Sequence, residues 1–233
     1  MTGVQTWLFR SISGIAYAIK SLNPKVKVYG VQASGASSML ESMKNNKIQC
    51  LNGVCTIADG IAVKEPGKLT FDICNKYVDE IVTVTEDEIS TAILALIEQR
   101  KIIAEGAGAV AVAAALFNKL PIKGKKVVCL ISGGNIDVTI LSRVIHRGLI
   151  MSGRTYAINI ELLDKPGQLQ DVSKIIADLG ANVVSVIHER TSESSDINGC
   201  YLRLVLETRN YDHIAKIRTA LTGKGYNISS TLK

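Results

Sequence analysis

Four short stretches of this 233-residue chain combine residue types that could hold a small polar ligand. Ser132-Gly133-Gly134-Asn135 follows an apolar, β-rich run and precedes a helical pattern. Such a turn points backbone N–H groups to where an open α/β sheet places its ligands. Residues 56–60 (TIADG) and 104–109 (AEGAGA) each pair small residues with one carboxylate, at Asp59 and Glu105. Small residues of this kind leave room for a flat ligand or for close helix contact. The fourth stretch, Lys165-Pro166-Gly167-Gln168-Leu169, lies between an alternating run and an amphipathic helix. There proline fixes φ, and glycine lets a helix N-terminus approach a carboxylate. Each stretch also has a plain structural reading: tight βα turns for the glycine-rich ones, and helix N-caps for Asp59 and Glu105.

The elements that position these stretches follow from periodicity. Residues 12–22 carry apolar side chains at Ile12, Ile15, Ala16, Ile19 and Leu22, a helical stripe stopped by Asn23-Pro24. Residues 27–32 read as a strand, 37–45 as a helix, 48–59 as a loop, 65–75 as a helix and 77–84 as a strand. Residues 86–100 form a helix with an acidic first turn, 107–118 a buried alanine-rich helix, 126–131 a buried strand and 138–146 a helix. This alternation predicts an α/β fold with a mostly parallel sheet covered on both faces. Gly148, Ser152 and Gly153 end the pattern. Residues 156–163, 168–179, 183–189, 200–207, 211–222 and 226–232 then read β, α, β, β, α, β, an antiparallel sheet with two helices on one face. The hairpin loop of that sheet falls on residues 191–199.

Composition excludes several classes. The longest apolar runs are far shorter than the ~20 residues of a membrane-spanning helix. The net charge of +6 comes entirely from residues 1–154, with 18 Lys+Arg against 12 Asp+Glu, because residues 155–233 hold 9 of each. Apart from Lys123, Lys125 and Lys126, those basic residues are scattered, and they lack aromatic interleaving, so no nucleic-acid partner and no membrane partner are expected. Five cysteines without metal-type spacing fit reduced thiols and a cytoplasmic location. Cys129 reads as a small core residue. The three histidines have no catalytic partner nearby in sequence: His146 ends a helix, His188 lies in a strand and His213 on a helix surface. Residues 1–11 (MTGVQTWLFRS) lack periodicity and resemble a translated adapter sequence, so the chain reads as an N-terminally truncated fragment.

Read together, SGIAYAIKSLNP, KVYGVQ, TIADGIAVKEPGKLTF, AEGAGAVAVAA and CLISGGNID resemble the fold-type II pyridoxal-phosphate lyases, specifically the threonine ammonia-lyase (threonine dehydratase) family. The resemblance covers nearly all of residues 12–148. It implies pyridoxal 5′-phosphate as cofactor and deamination of L-threonine to 2-oxobutanoate, with serine to pyruvate as a side reaction. It assigns the face of the cofactor's pyridine nitrogen to Ser132, with Gly133 beside it. Gly60 then lines one face of the ring and Glu105 lies near it. The family's Schiff-base lysine belongs to a Ser-Phe-Lys-type motif that this sequence lacks, and residues 7–11 stand where its tetraglycine phosphate cup belongs. The chain as written is therefore expected to be inactive alone, since the chemistry depends on that amine. Related serine racemases hold a divalent cation through two carboxylates and a carbonyl. The matching positions here are Gln32, Ala36 and Ser38, which leaves no charged oxygen ligand and no metal assigned.

Residues 155–233 resemble the ACT domain, which binds amino acids at the interface of paired copies. On that likeness Asp164, Gly167 and Asn182 contact an amino-acid effector, residues 149–154 form a linker, and a homodimer or homotetramer is expected. An ACT domain that serves only for assembly fits the same residues. Two other readings stay open: a serine dehydratase or racemase sibling, and a non-catalytic amino-acid-binding regulator.

Overall fold

The computed structural model describes residues 7–190 and 199–230, with side chains from Ser11 to Ser229, and divides the chain into two units, 1–148 and 149–233. The hairpin loop expected at residues 191–199 lies almost wholly outside the described residues.

The first unit opens with α1 (Trp7–Leu22), so helix begins inside the stretch expected to be a non-native leader. Ile12, Ala16 and Ile19 face a core of Val28, Met39, Phe71, Cys74, Val78 and Ile81. The Asn23-Pro24 stop is visible in the Asn23 side chain, which accepts from the Lys25 N–H at 3.1 Å. Strand β1 (Tyr29–Ala33) pairs in parallel with β2 (Glu80–Val84), Tyr29 opposite Glu80 and Ala33 opposite Val84. Between them lie α2 (Ser38–Lys44) and α3 (Lys68–Tyr77).

Helix α4 (Glu86–Ala95) begins in a capping box. Thr85 Oγ1 accepts from Glu88 N–H at 3.3 Å, and Glu88 Oε2 accepts from Thr85 N–H at 2.8 Å, satisfying two otherwise orphaned donors. It continues as one π-helical turn (Leu96–Arg100) and ends at Lys101, whose φ is +59°. Helix α5 (Gly106–Leu116) is buried on Gly106, Gly108, Ala109, Val110, Ala113 and Ala114. These small residues let it pack closely against α4 and the sheet, in a core with Ala33, Val84, Ile89, Ile93 and Val144.

Three expectations change in this unit. Residues 126–131 are not in a sheet among the described residues: Val128 is 96% exposed and Leu130 56%, so apolar content alone did not bury them. The next helix, α6 (Val138–Met151), runs past Gly148 instead of stopping before it. A β-carbon on Gly148 would lie 2.8 Å from Leu94 Cδ2, so the glycine serves close packing of α6 on α4, not termination. His146 is consequently within α6 and not at its end.

The second unit is the expected βαββαβ array. Its strands β3 (Thr155–Leu163), β4 (Asn182–Glu189), β5 (Gly199–Glu207) and β6 (Asn227–Ser230) form an antiparallel sheet in the order β4-β5-β3-β6. Helices α7 (Gln168–Asp178) and α8 (Tyr211–Gly223) pack on one face. Tyr156, Ile158, Ile160 and Leu162 alternate inward to meet Leu202, Leu204 and Leu206 across the register, with Val172, Ile176, Ile214 and Ile217 above them. Each such burial stabilises by about 1.5–3 kcal/mol. His213 is also buried, contrary to its expected surface position. Its Nδ1 accepts from Arg209 N–H at 3.1 Å and its Nε2 lies 3.0 Å from the Leu179 carbonyl, so the ring carries its proton on Nε2 and ties α8 to the end of α7.

Candidate functional site

In the first unit, three of the four stretches converge. Glu105 is the N-cap residue of α5, yet its carboxylate makes no cap hydrogen bond. The side chain turns instead toward the 132–133 turn. Gly133 has a φ of +81°, and a β-carbon there would overlap the Glu105 carboxylate. Only glycine fits both the dihedral and the contact. The Gly133 carbonyl accepts from Glu105 N–H at 3.2 Å, which fixes the two segments together from the backbone. On the other side, a β-carbon on Gly60 would come within 3.5 Å of Glu105 Oε1 and 3.1 Å of Ala107 Cβ. Gly108 must lack a side chain too, since one would collide with the Ser132 carbonyl. Ser132 itself is exposed.

The TIADG loop is held from α4. The Ile57 N–H donates to Glu86 Oε2 at 2.7 Å, and Glu86 Oε1 is buried without a hydrogen-bond partner among the described residues. Sequence reasoning saw Glu86 only as part of an acidic first turn; its spatial partner is 29 positions away. Asp59 does not cap its helical turn across the loop but accepts from the adjacent Gly60 N–H at 2.7 Å. The N-terminus of α6 is likewise closed: Asp137 Oδ1 accepts from Thr139 N–H at 2.7 Å and from Ile140 N–H at 3.3 Å. These backbone bonds hold the Asp137 carboxyl below its ordinary range. The SGGN turn thus precedes the helix and is not its first turn.

Gln32, one of the three positions weighed for a cation in the sequence, spends its amide internally. Its Nε2 donates to the Ala36 carbonyl at 2.9 Å and its Oε1 accepts from Leu40 N–H at 2.8 Å. Ser38 Oγ donates to the Val63 carbonyl at 2.6 Å. Cys129 is half-buried with Sγ 3.7 Å from the Ala111 carbonyl, and burial pushes its thiol pKa up.

In the second unit a pocket of about 390 Å³ is lined by residues 162–169 together with His188, Arg190, Cys200 and Leu202. Gly167 is the N-cap of α7 with a φ of +93°, and no side chain among the described residues caps that helix. Asp164 Oδ2 is 3.1 Å from Arg190 Nε, and its Oδ1 is 3.9 Å from His188 Nε2. Asn182 is not in this pocket. It starts β4 and donates to Glu207 Oε2 at 3.0 Å, roughly 20 Å along the strand from His188.

Residues 10–133 match the pyridoxal-phosphate dependent enzymes, and the chain belongs to that family. Its cofactor is accordingly pyridoxal phosphate, and residues 156–223 match the ACT domain. Among individual proteins, the chain is 51% identical over 217 residues to a protein named L-threonine ammonia-lyase in Thermotoga maritima. That alignment takes in 93% of this chain and 54% of the relative, so the chain spans about half the length of the curated relative it matches. Of solved structures, it resembles the processed form of threonine deaminase isoform 2 from Solanum lycopersicum, with 36% identity, a TM-score of 0.56, and 60% of this chain and 39% of that one covered. Maize serine racemase is also similar, with 31% identity, a TM-score of 0.53, and coverage of 60% and 44%. No helix among the described residues is long and apolar enough to cross a membrane.

Proposed function

We propose that this chain supplies the pyridine-side turn, one pocket wall and the regulatory domain of a pyridoxal-phosphate-dependent L-threonine ammonia-lyase, which forms 2-oxobutanoate and ammonia, and pyruvate from serine as a secondary product. The convergence of Gly60, Glu105 and Gly133 carries this reading. The Glu105 carboxylate takes the place of a β-carbon at Gly133, Gly60 presents a side free of one, and Ser132 next to Gly133 is exposed, so a flat heteroaromatic ring would pack along the Gly60 side.

The cofactor, when bound, supplies the electron sink for the reaction. The chain's own residues decide how strong that sink is. Ser132 would hold the cofactor at its pyridine nitrogen through Oγ–H, and a neutral hydroxyl would not keep that nitrogen protonated as a carboxylate would. A cofactor held in this way would supply a weaker electron sink, suited to elimination of a β-hydroxyl. Gly60 would leave room for the ring, Gly133 gives way to the Glu105 carboxylate, and Glu86 holds the Gly60 loop in place. Residues 12–148 act as the catalytic part and 149–154 as its link to the ACT domain at 155–233. With no Ser-Phe-Lys motif, residues 1–233 alone give no turnover. The exposed thiols of Cys50 and Cys55 suit a reducing cytosol.

In the second domain, Asp164 and Gly167 form an amino-acid effector pocket, and Asn182 reaches that pocket only from a paired copy, which accords with a homodimer or homotetramer. Serine racemase is the second reading, favoured by the likeness to the maize protein; the internal bonding of Gln32 speaks against it. The test is a chimera in which residues 12–233 follow the preceding part of the Thermotoga maritima relative. Threonine-dependent 2-oxobutanoate release that exceeds any serine racemisation supports the proposal. A folded, cofactor-loaded chimera that racemises serine and leaves threonine untouched refutes it.

A further inference from the structure

Asp164, His188 and Cys200 are far apart in sequence, yet their ligating atoms all lie within 4.8 Å of one another. The topology explains the meeting. Asp164 follows β3, His188 is near the end of β4, and Cys200 is near the start of β5, opposite Leu162 in β3. His188 stands opposite Leu202, an inward-facing residue, so the imidazole and the Cys200 thiol share the helix-bearing side of the sheet. All three line the pocket beside Gly167. Cys200 is 1% exposed at its floor, while His188 and Asp164 stand at its mouth.

We infer that this trio is a binding site for a borderline divalent cation of the zinc class, independent of the pyridoxal-phosphate site. One thiolate, one imidazole and one carboxylate form a mixed S, N, O donor set. Calcium and magnesium prefer all-oxygen sets, whereas zinc accepts this one. Tetrahedral zinc, with bonds of about 2.0–2.3 Å, places its ligands roughly 3.3–3.8 Å apart, so the trio needs only a small contraction. Asp164 Oδ2 is engaged by Arg190, which leaves Oδ1, the oxygen facing His188, as the monodentate ligand. On binding, the Cys200 S–H bond breaks, its proton leaves to solvent and an S–Zn bond forms. Three protein ligands leave a fourth position open toward the pocket for water or another small donor.

The racemase-type cation position at Gln32 is a different place, and its lack of carboxylates does not bear on this one. The site was not legible as a motif because its spacing is long and irregular, set by strand register and not by one turn.

The test is zinc binding to the full chain, by titration against a chelator of known affinity, in a Cys50→Ser, Cys55→Ser background that removes the two exposed thiols. One zinc ion per chain is expected. Asp164→Asn, His188→Gln and Cys200→Ser are each expected to weaken binding by more than about 100-fold, since losses of even outer partners reach that range. Cobalt in place of zinc is expected to give a thiolate-to-metal charge-transfer band that vanishes in Cys200→Ser. His188 and Asp164 are 36% exposed, so their variants keep the fold even if Cys200→Ser does not, with circular dichroism as the check. Absence of stoichiometric zinc, loss of zinc with the two exposed thiols, or unchanged affinity in His188→Gln and Asp164→Asn overturns the inference.

Discussion

The Glu105 carboxylate occupies the space where a β-carbon on Gly133 would stand. This relationship joins the start of α5 to the SGGN turn and shapes the space beside Ser132. Gly133→Ala must therefore displace Glu105 and also adopt a φ of +81°. The expected cost is about 1–3 kcal/mol of stability, together with loss of cofactor uptake. Thermal unfolding and cofactor titration of the chimera measure both. Unchanged values would mean that the turn rearranges freely.

Asp79 offers a pH test. Lys20 Nζ lies 2.6 Å from it and Lys27 Nζ 2.8 Å, and its Oδ2 accepts from Val28 N–H at 2.8 Å. Burial pushes its pKa up, but these hydrogen bonds outweigh that and hold it well below the carboxylate range. A depressed folded pKa contributes stability that is complete above the unfolded value of about 3.9 and is lost as pH falls from there toward the folded value. Asp79→Asn is expected to cost about 1–2 kcal/mol at pH 7 and to flatten the dependence of stability on pH below about 4. Denaturant unfolding at several pH values checks this, and parallel curves for the two proteins would refute it.

Gly148→Val places branched atoms where Leu94 already sits, and overpacking of this kind costs about 1–3 kcal/mol. The helix itself should survive, because Gly148 does not end it. A drop in unfolding midpoint with unchanged helical circular dichroism is the expected result.

His213→Ala removes the acceptor of the Arg209 N–H, while the Leu179 carbonyl keeps its bond from the Arg209 guanidinium at 3.2 Å. Leaving that part-buried donor unsatisfied costs at the low end of about 1–3 kcal/mol. Hydrogen exchange at the Arg209 amide should rise by a matching factor. An unaltered exchange rate would place the imidazole elsewhere.

Much of this architecture could be read from the sequence because its periodicities are local. The inward alternation of Tyr156, Ile158, Ile160 and Leu162, and the acidic start of α4, marked their elements without tertiary information. Residues 126–131 misled because a β-rich apolar run specifies extended backbone but not a pairing partner. Gly148 misled because glycine ends helices and also admits close neighbours, and only the position of Leu94 distinguishes the two. In the candidate site, Gly60, Glu105, Ser132 and Gly133 were legible as small-residue stretches. The hold of Glu86 on Ile57 was not, nor was the meeting of Asp164, His188 and Cys200, since both arise from long-range packing.

The central claim, that Ser132 faces the pyridine nitrogen of the bound cofactor, is tested most directly by steady-state kinetics of Ser132→Ala in the cofactor-loaded chimera. The expected result is retained cofactor stoichiometry with kcat for L-threonine lowered roughly 100-fold, the scale of losing one preorganised donor. Full turnover in a variant that still carries one cofactor per chain would contradict the claim.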